Sequence, residues 1–186
     1  MMRIDEVQKH FRGVKTTLDL LDNHNIQQAV YAIFYLLNEE GTVFLCGNGG
    51  SHSNASHGAV DFSKYITLNG RKLKTHCLGL SVSMLTATAN DSFYEQVFVE
   101  EMIDNFQKED ILIAISGSGE SSNVIKAAKY AQAQGGIVIG MTGFDGGELQ
   151  KLCNISLHVP IDDMQVTEDI HMILLHAITL ALKEIK

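Results

Sequence analysis

Two loops rich in glycine and serine, Cys46-Gly47-Asn48-Gly49-Gly50-Ser51 and Ser116-Gly117-Ser118-Gly119-Glu120-Ser121-Ser122, each follow an apolar run and each lead into a helix-like stretch. Strand, tight loop and helix, given twice, is the unit from which parallel sheets are built, because the helix returns the chain to begin the next strand beside the last. The same geometry places backbone N–H groups and small hydroxyls at a helix N-terminus, where a phosphate or carboxylate is stabilised. Glycines in such loops also serve simply to make tight turns. The serines of the second loop exceed that need: Ser116, Ser118, Ser121 and Ser122 supply hydroxyls suited to the oxygens of a phosphomonoester. Neither Gly-x-x-x-x-Gly-Lys-Ser/Thr nor Gly-x-Gly-x-x-Gly follows either strand, which argues against ATP and NAD and predicts no nucleotide cofactor.

Short β-rich runs at 42–46, 75–79, 111–115, 137–141 and 155–159 alternate with helical segments and predict a five-stranded parallel sheet covered on both faces. Right-handed crossovers then put the loops after the strand C-termini on one edge, so that 47–51 and 116–122 face a common crevice near a topological switch point. Ahead of the sheet, Ile4, Val7, Phe11, Val14, Leu18 and Leu21 step by three and four, the seam of an amphipathic helix. A second helix is expected near 26–39 and a last one over 164–185. The seam can pack on its own domain or on the same helix of another subunit, and the reading favours an oligomer.

With 186 residues and 45% hydrophobic content, the chain is expected to form one domain, 1–186, with its own core. It carries no run fit to cross a bilayer, and Met1-Met2-Arg3-Ile4-Asp5-Glu6 lacks the apolar core of a secretory signal, so a cytoplasmic protein is expected. A net charge of −8 without a basic cluster argues against nucleic acid or an anionic membrane as partner. Cys46, Cys77 and Cys153, odd in number and widely spaced in apolar runs, read as buried thiols of a reducing compartment.

His57 and Asp61, at i and i+4 on the helix after the first loop, share one helix face, a spacing suited to metal ligation or to an acid/base pair. On the last helix Glu168, Asp169, His171 and His176 recur. Taken alone, each reads first as a surface charge or a hydrogen-bonded core histidine, and the set points to chemistry only where the fold brings the two helices together.

These strings, with Ala89-Asn90-Asp91, Met141-Thr142-Gly143 and Asp145-Gly146-Gly147, resemble the sugar isomerase (SIS) domain, and within it the sedoheptulose-7-phosphate (phosphoheptose) isomerases; the likeness runs in order over residues 2–185. The resemblance implies a three-layer α/β/α, flavodoxin-like fold with extra N-terminal helices and a homotetramer with sites at subunit interfaces. It also implies interconversion of a seven-carbon ketose phosphate with its aldose through an enediol, feeding heptose to surface polysaccharide. Carried over, Ser116, Gly117, Ser118 and Ser121 would hold the phosphate, and Asn48, Gly49, Gly50, Ser51, Asn90 and Asp91 would meet the sugar hydroxyls. Asp61 would be the base and His176 the acid, and His57, Asp61, Glu168 and His176 would hold Zn²⁺ or another divalent ion, with Glu168 also near the substrate. Asp61 stands where the family has glutamate and Glu168 where it has glutamine. Gly117 replaces a threonine and Glu120 an asparagine; a carboxylate beside a phosphate is unfavourable unless it turns outward. Lys64, one turn past Asp61, either balances the extra carboxylate or is simply exposed. Alternatives are a non-catalytic SIS module that binds a phosphosugar or a protein such as a replication initiator, and an isomerase of another sugar phosphate, such as arabinose 5-phosphate.

Overall fold

Five parallel strands form the central sheet of the computed structural model, which describes residues 4–39, 41–68 and 70–184. Helices α1 (Ile4–Leu18) and α2 (Asn23–Asn38) precede β1 (Thr42–Gly47), which runs through the first loop into α3 (Gly49–Tyr65). A short antiparallel hairpin, β2 (Thr67–Leu68) and β3 (Arg71–Lys72), leads to β4 (Lys74–Cys77), α4 (Val82–Asp91), a 3₁₀ turn over Tyr94–Gln96 and α5 (Val97–Met102). Then follow β5 (Ile111–Ser116), α6 (Ser122–Ala133), β6 (Ile137–Thr142), α7 (Gly147–Leu152), β7 (Ile155–His158) and α8 (Met164–Lys183).

The strand order is β4-β1-β5-β6-β7, so the chain leaves β1 in one direction and returns to its other side at β5. That reversal is the switch point expected from the sequence, and it separates the C-terminal ends of the two strands that carry the glycine–serine loops. Gly47 pairs with Ile115 at the end of that ladder, which sets the two loops side by side. The strands read as unbroken apolar runs because both faces are covered: Val43, Leu45, Ile111, Ile113 and Ile115 face α2, α3 and α8, while Phe44, Cys46, Leu112 and Ala114 face α5, α6 and α7.

Four strands fall within one residue of expectation. The fifth, β4, ends two residues earlier than 75–79: Leu78 N still donates to Leu45 O at 2.9 Å, after which Gly79, at φ +84°, turns the chain away. The second helix begins ahead of residue 26 because Asp22 Oδ1 accepts from His24 N at 2.8 Å and starts it at Asn23. Position 185, the expected end of the last helix, lies outside the described residues. Cys46 and Cys77 are buried, as expected, and burial pushes the Cys77 thiol up to about 12 and Cys46 higher still; Cys153 is only partly buried. The seam of α1 divides. Val14 and Leu21 pack on the core, whereas Ile4, Val7, Phe11 and Leu18 remain exposed. No helix among the described residues is long and apolar enough to cross a membrane.

Candidate active site

A cavity of about 280 Å³ opens where the two loops meet the start of α8. Asn48, Gly49, Gly50 and Ser51 line it from the first loop, Ser116, Gly117, Ser118 and Ser121 from the second, and Met164 and Glu168 from α8. Helix capping marks this cavity independently. Asp22, Ser81 and Asp163 cap α2, α4 and α8 through their side chains, as residues of these types ordinarily do. Asn48 and Ser121 hold the same position on α3 and α6, with extended backbones, yet neither makes a side-chain capping bond. The Ser121 hydroxyl bonds Ser116 Oγ at 3.1 Å instead. Among the helices of ten or more residues whose N-cap is described, the two without a side-chain cap are those that begin at the cavity; apart from Val124 N, which donates to Asn123 Oδ1, their first-turn N–H groups are available to an anion.

Glu120 does not burden this cradle with charge. Its Oε1 accepts from Glu148 N at 2.8 Å in the first turn of α7, so the carboxylate turns outward and serves as a cap in trans. Gly117, where the family has threonine, is matched by Met164: a Cβ at 117 would lie 2.5 Å from Met164 Sδ, which fills the space.

Further along the same helix pair, three side chains converge. His57 Nε2 lies 3.4 Å from Asp61 Oδ2, His176 Nε2 lies 3.5 Å from that oxygen, and the two Nε2 atoms are 3.2 Å apart. Helix α3 supplies His57 and Asp61 one turn apart, and α8 runs parallel to it at close range: Asn54 Nδ2 donates to Glu168 O at 2.8 Å, and Gly58 faces Leu175, whose methyl groups a Cβ at 58 would approach to 3.1 Å. Ligands held about 2.0–2.1 Å from a tetrahedral ion stand about 3.3–3.4 Å apart, so this set of two imidazoles and a carboxylate fits a divalent cation with one position left open. These three residues form the only possible metal-holding group of this kind among the described residues.

The expected fourth ligand stands apart. Glu168 precedes His176 by eight residues, about 12 Å along α8, and its carboxylate lies against Gly50 at the cradle. Asn90 and Asp91, expected near the sugar, lie exposed at the end of α4, where Asn90 Nδ2 donates to Asp91 Oδ1 at 2.8 Å; they do not line the cavity. Lys64 is exposed, with Nζ over the Tyr65 ring at 5.1 Å from its centre. Behind the site His171, fully buried, approaches Thr142 O at 3.2 Å through Nε2, and burial lowers its pKa to about 4, so the ring is neutral and Nε2 donates. Asn123 and Tyr94, which bond Asn48, were not foreseen: they stand 75 and 46 residues from it, beyond any local pattern.

A family model for the SIS domain matches residues 5–143. A phosphoheptose isomerase of Helicobacter pylori (strain P12) is 36% identical over 176 residues, covering 92% of this chain and 91% of that protein. Another, from Mycobacterium bovis, is 37% identical over 137 residues, 74% of this chain and 70% of its own. Among solved structures, a phosphoheptose isomerase from Francisella tularensis superposes with a TM-score of 0.91 at 28% identity, covering 99% of this chain and 100% of that one. Phosphoheptose isomerase GmhA from Neisseria gonorrhoeae gives 0.89 at 28% identity, with 98% and 97% covered. Matched by the family model over most of its length and by phosphoheptose isomerases nearly end to end, the chain belongs to the SIS domain family.

Proposed function

We propose that the protein is an aldose–ketose isomerase that interconverts sedoheptulose 7-phosphate and glycero-manno-heptose 7-phosphate, with residues 1–186 acting as one SIS unit. One observation carries the reading: the uncapped cradle and the His57–Asp61–His176 group lie on the same pair of parallel helices, about 12 Å apart along α8. An extended seven-carbon chain with its terminal phosphate reaches roughly 10 Å, given bonds of about 1.5 Å, whereas a five-carbon phosphate reaches roughly 7–8 Å. The longer sugar sets its phosphate among Ser116, Ser118 and Ser121 and its reacting carbons beside Asp61. Relatives that are phosphoheptose isomerases support the same substrate.

In this reading Asp61 removes the proton from one of C1 and C2 and returns it to the other, while His176 delivers a proton to the carbonyl oxygen through Nε2 and recovers one from the neighbouring hydroxyl as that oxygen becomes the new carbonyl. His57, Asp61 and His176 would hold a divalent cation, zinc being the ion best suited to two imidazoles and a carboxylate; when bound it supplies Lewis-acid stabilisation of the negative charge that develops on oxygen. The nitrogen that would ligate the cation is the one that would carry the proton, so His176 acts as acid only while Nε2 is free of metal. Asp61 keeps a second oxygen for the proton in either state. Glu168, at the cradle, is assigned to the sugar hydroxyls rather than to the ion. The exposed face of α1 and the groove beside it support self-association, read as a homotetramer in the cytoplasm.

Proton NMR of the protein with sedoheptulose 7-phosphate in deuterated water, with added zinc or with a chelator, tests the reading. Aldose signals with deuterium at C1 or C2 are expected. A folded protein that gives neither under both conditions is not this isomerase.

A further inference from the structure

The side chain of Asn48 is used in a way no capping residue is. Its Nδ2 donates to Asn123 Oδ1 at 2.8 Å while Asn123 Nδ2 donates to Asn48 Oδ1 at 3.0 Å, a reciprocal amide pair between the loop after β1 and the first turn of α6. The Tyr94 hydroxyl, from the 3₁₀ turn, donates to the same Asn48 Oδ1 at 2.9 Å. Asn123 Oδ1 also accepts from Val124 N at 3.0 Å, and Asn123 is 2% exposed. Both amide oxygens are thus fully used, and Asn48 keeps one N–H for a ligand.

We infer that Asn123 and Tyr94 are positioning residues of the phosphate site, acting through Asn48; the inference rests on the sugar-phosphate reading above. Each loop of the cradle begins a different helix, and the amide pair is the side-chain link that fixes their separation. It also explains why α3 stays uncapped: an Asn48 free to rotate would turn its oxygen onto the N–H groups of its own first turn, in competition with the phosphate. Tyr94 blocks that rotation from the far side. Asn48 and Gly49 form the wall between the cradle and a second cavity of about 210 Å³, which Gly47, His52, Gly79, Leu85 and Tyr94 also line. The tyrosine therefore reaches Asn48 from outside the cradle without entering it.

The test is the affinity of the full chain for inorganic phosphate by calorimetry, together with kcat and KM on sedoheptulose 7-phosphate, for wild type, Tyr94→Phe and Asn123→Ala. Tyr94→Phe keeps the ring and removes one hydrogen bond, so it is expected to weaken phosphate binding and raise KM about threefold to tenfold, with kcat within about twofold. Its melting temperature is expected to stay within about 2 °C of wild type, because the ring is half exposed. Asn123→Ala is expected to weaken binding further and also to lower stability, since it orphans the Asn48 amide. Unchanged phosphate affinity and KM in a folded Tyr94→Phe overturn the inference, as does a fall in kcat at constant KM, which reports lost active enzyme rather than a displaced loop. A wild type that binds phosphate without isomerising the sugar defeats the functional reading alone, and the clamp is then judged on phosphate affinity.

Discussion

Glu168 is the residue whose placement most changes the chemistry expected from the sequence. Its carboxylate shares the cradle with Ser116, Ser118 and Ser121, so a phosphate dianion in the proposed site would bind against a like charge. Glu168→Gln removes that repulsion at constant shape and is expected to tighten inorganic phosphate binding about threefold to tenfold, read by calorimetry. Zinc content after dialysis is expected to stay at the wild-type level, since His57, Asp61 and His176 meet without it. Loss of zinc in the variant would return Glu168 to the ligand set. His171 gives a second prediction at this scale. Its Nδ1 is buried and has no hydrogen-bond partner among the described residues, and burial holds the ring neutral down to about pH 4, against 6.5 for a free imidazole. Between those values the unfolded chain takes up a proton that the folded chain refuses, so stability falls as pH drops from about 6.5 to about 4, by up to about 3 kcal/mol, and is flat above. Burial lowers His158 in the same direction, opposed by the nearby Asp145. Urea melts at pH 7 and pH 4.5 are expected to show this loss in wild type and a clearly smaller one in His171→Gln. Equal losses would mean that another group governs the acid limb.

Helix N-termini divide into ends closed by a side-chain cap, which serve stability, and the open ends of α3 and α6, to which the proposed function assigns the phosphate. Asp163 Oδ1 accepts from Val166 N at 3.0 Å and caps α8, so Asp163→Ala is expected to cost about 1 kcal/mol in denaturant melts. Ser121 caps nothing on α6, so Ser121→Ala is expected to change stability by less than about half of that while weakening phosphate binding at least several-fold. A stability loss in Ser121→Ala equal to that in Asp163→Ala would remove the argument that the cradle is built from open helix ends. The elements themselves were largely legible because buried parallel strands are continuous apolar runs; β1, β5, β6 and β7 came out within one residue for that reason. The hairpin of β2 and β3 was missed, although Asn69-Gly70 is a turn signal, because two-residue strands have no periodicity to read. The site was legible only where it is local. His57 and Asp61 declare themselves by their spacing, whereas His176 joins them only because α3 and α8 run parallel, a fact of packing that reached the sequence reading through family resemblance. The Asn48–Asn123 pair left no trace, since each residue alone is an ordinary loop or first-turn asparagine.

At the scale of the whole molecule, the unfinished surface is the face of α1. Ile4, Val7, Phe11 and Leu18 are all exposed, and a helix with this seam gains about 1.5–3 kcal/mol for each such side chain it covers. Between α1 and α8 an open groove of about 590 Å³ runs from Phe11 and Leu18 past Met172 and Ile173 to His176. His10 Nε2 reaches across it to Asp169 Oδ2 at 2.8 Å and ties α1 to the helix that carries the site. Nucleic acid is a poor occupant for this face on a chain of net charge −8, whereas a second copy brings a matching apolar seam by symmetry. The groove ends at His176, so whatever covers it also screens the proposed acid from water. Phe11→Glu sets a charge in the middle of the seam without touching the core, and it is expected to shift the proposed tetramer to smaller species in light scattering. Turnover is expected to fall by at least tenfold with the assembly, while phosphate affinity at the cradle, on the other end of the α3–α8 pair, changes little. A wild type that is monomeric at micromolar concentration, or a Phe11→Glu variant that dissociates and keeps full turnover, would place the complete site within one chain and leave the α1 face without a role in catalysis.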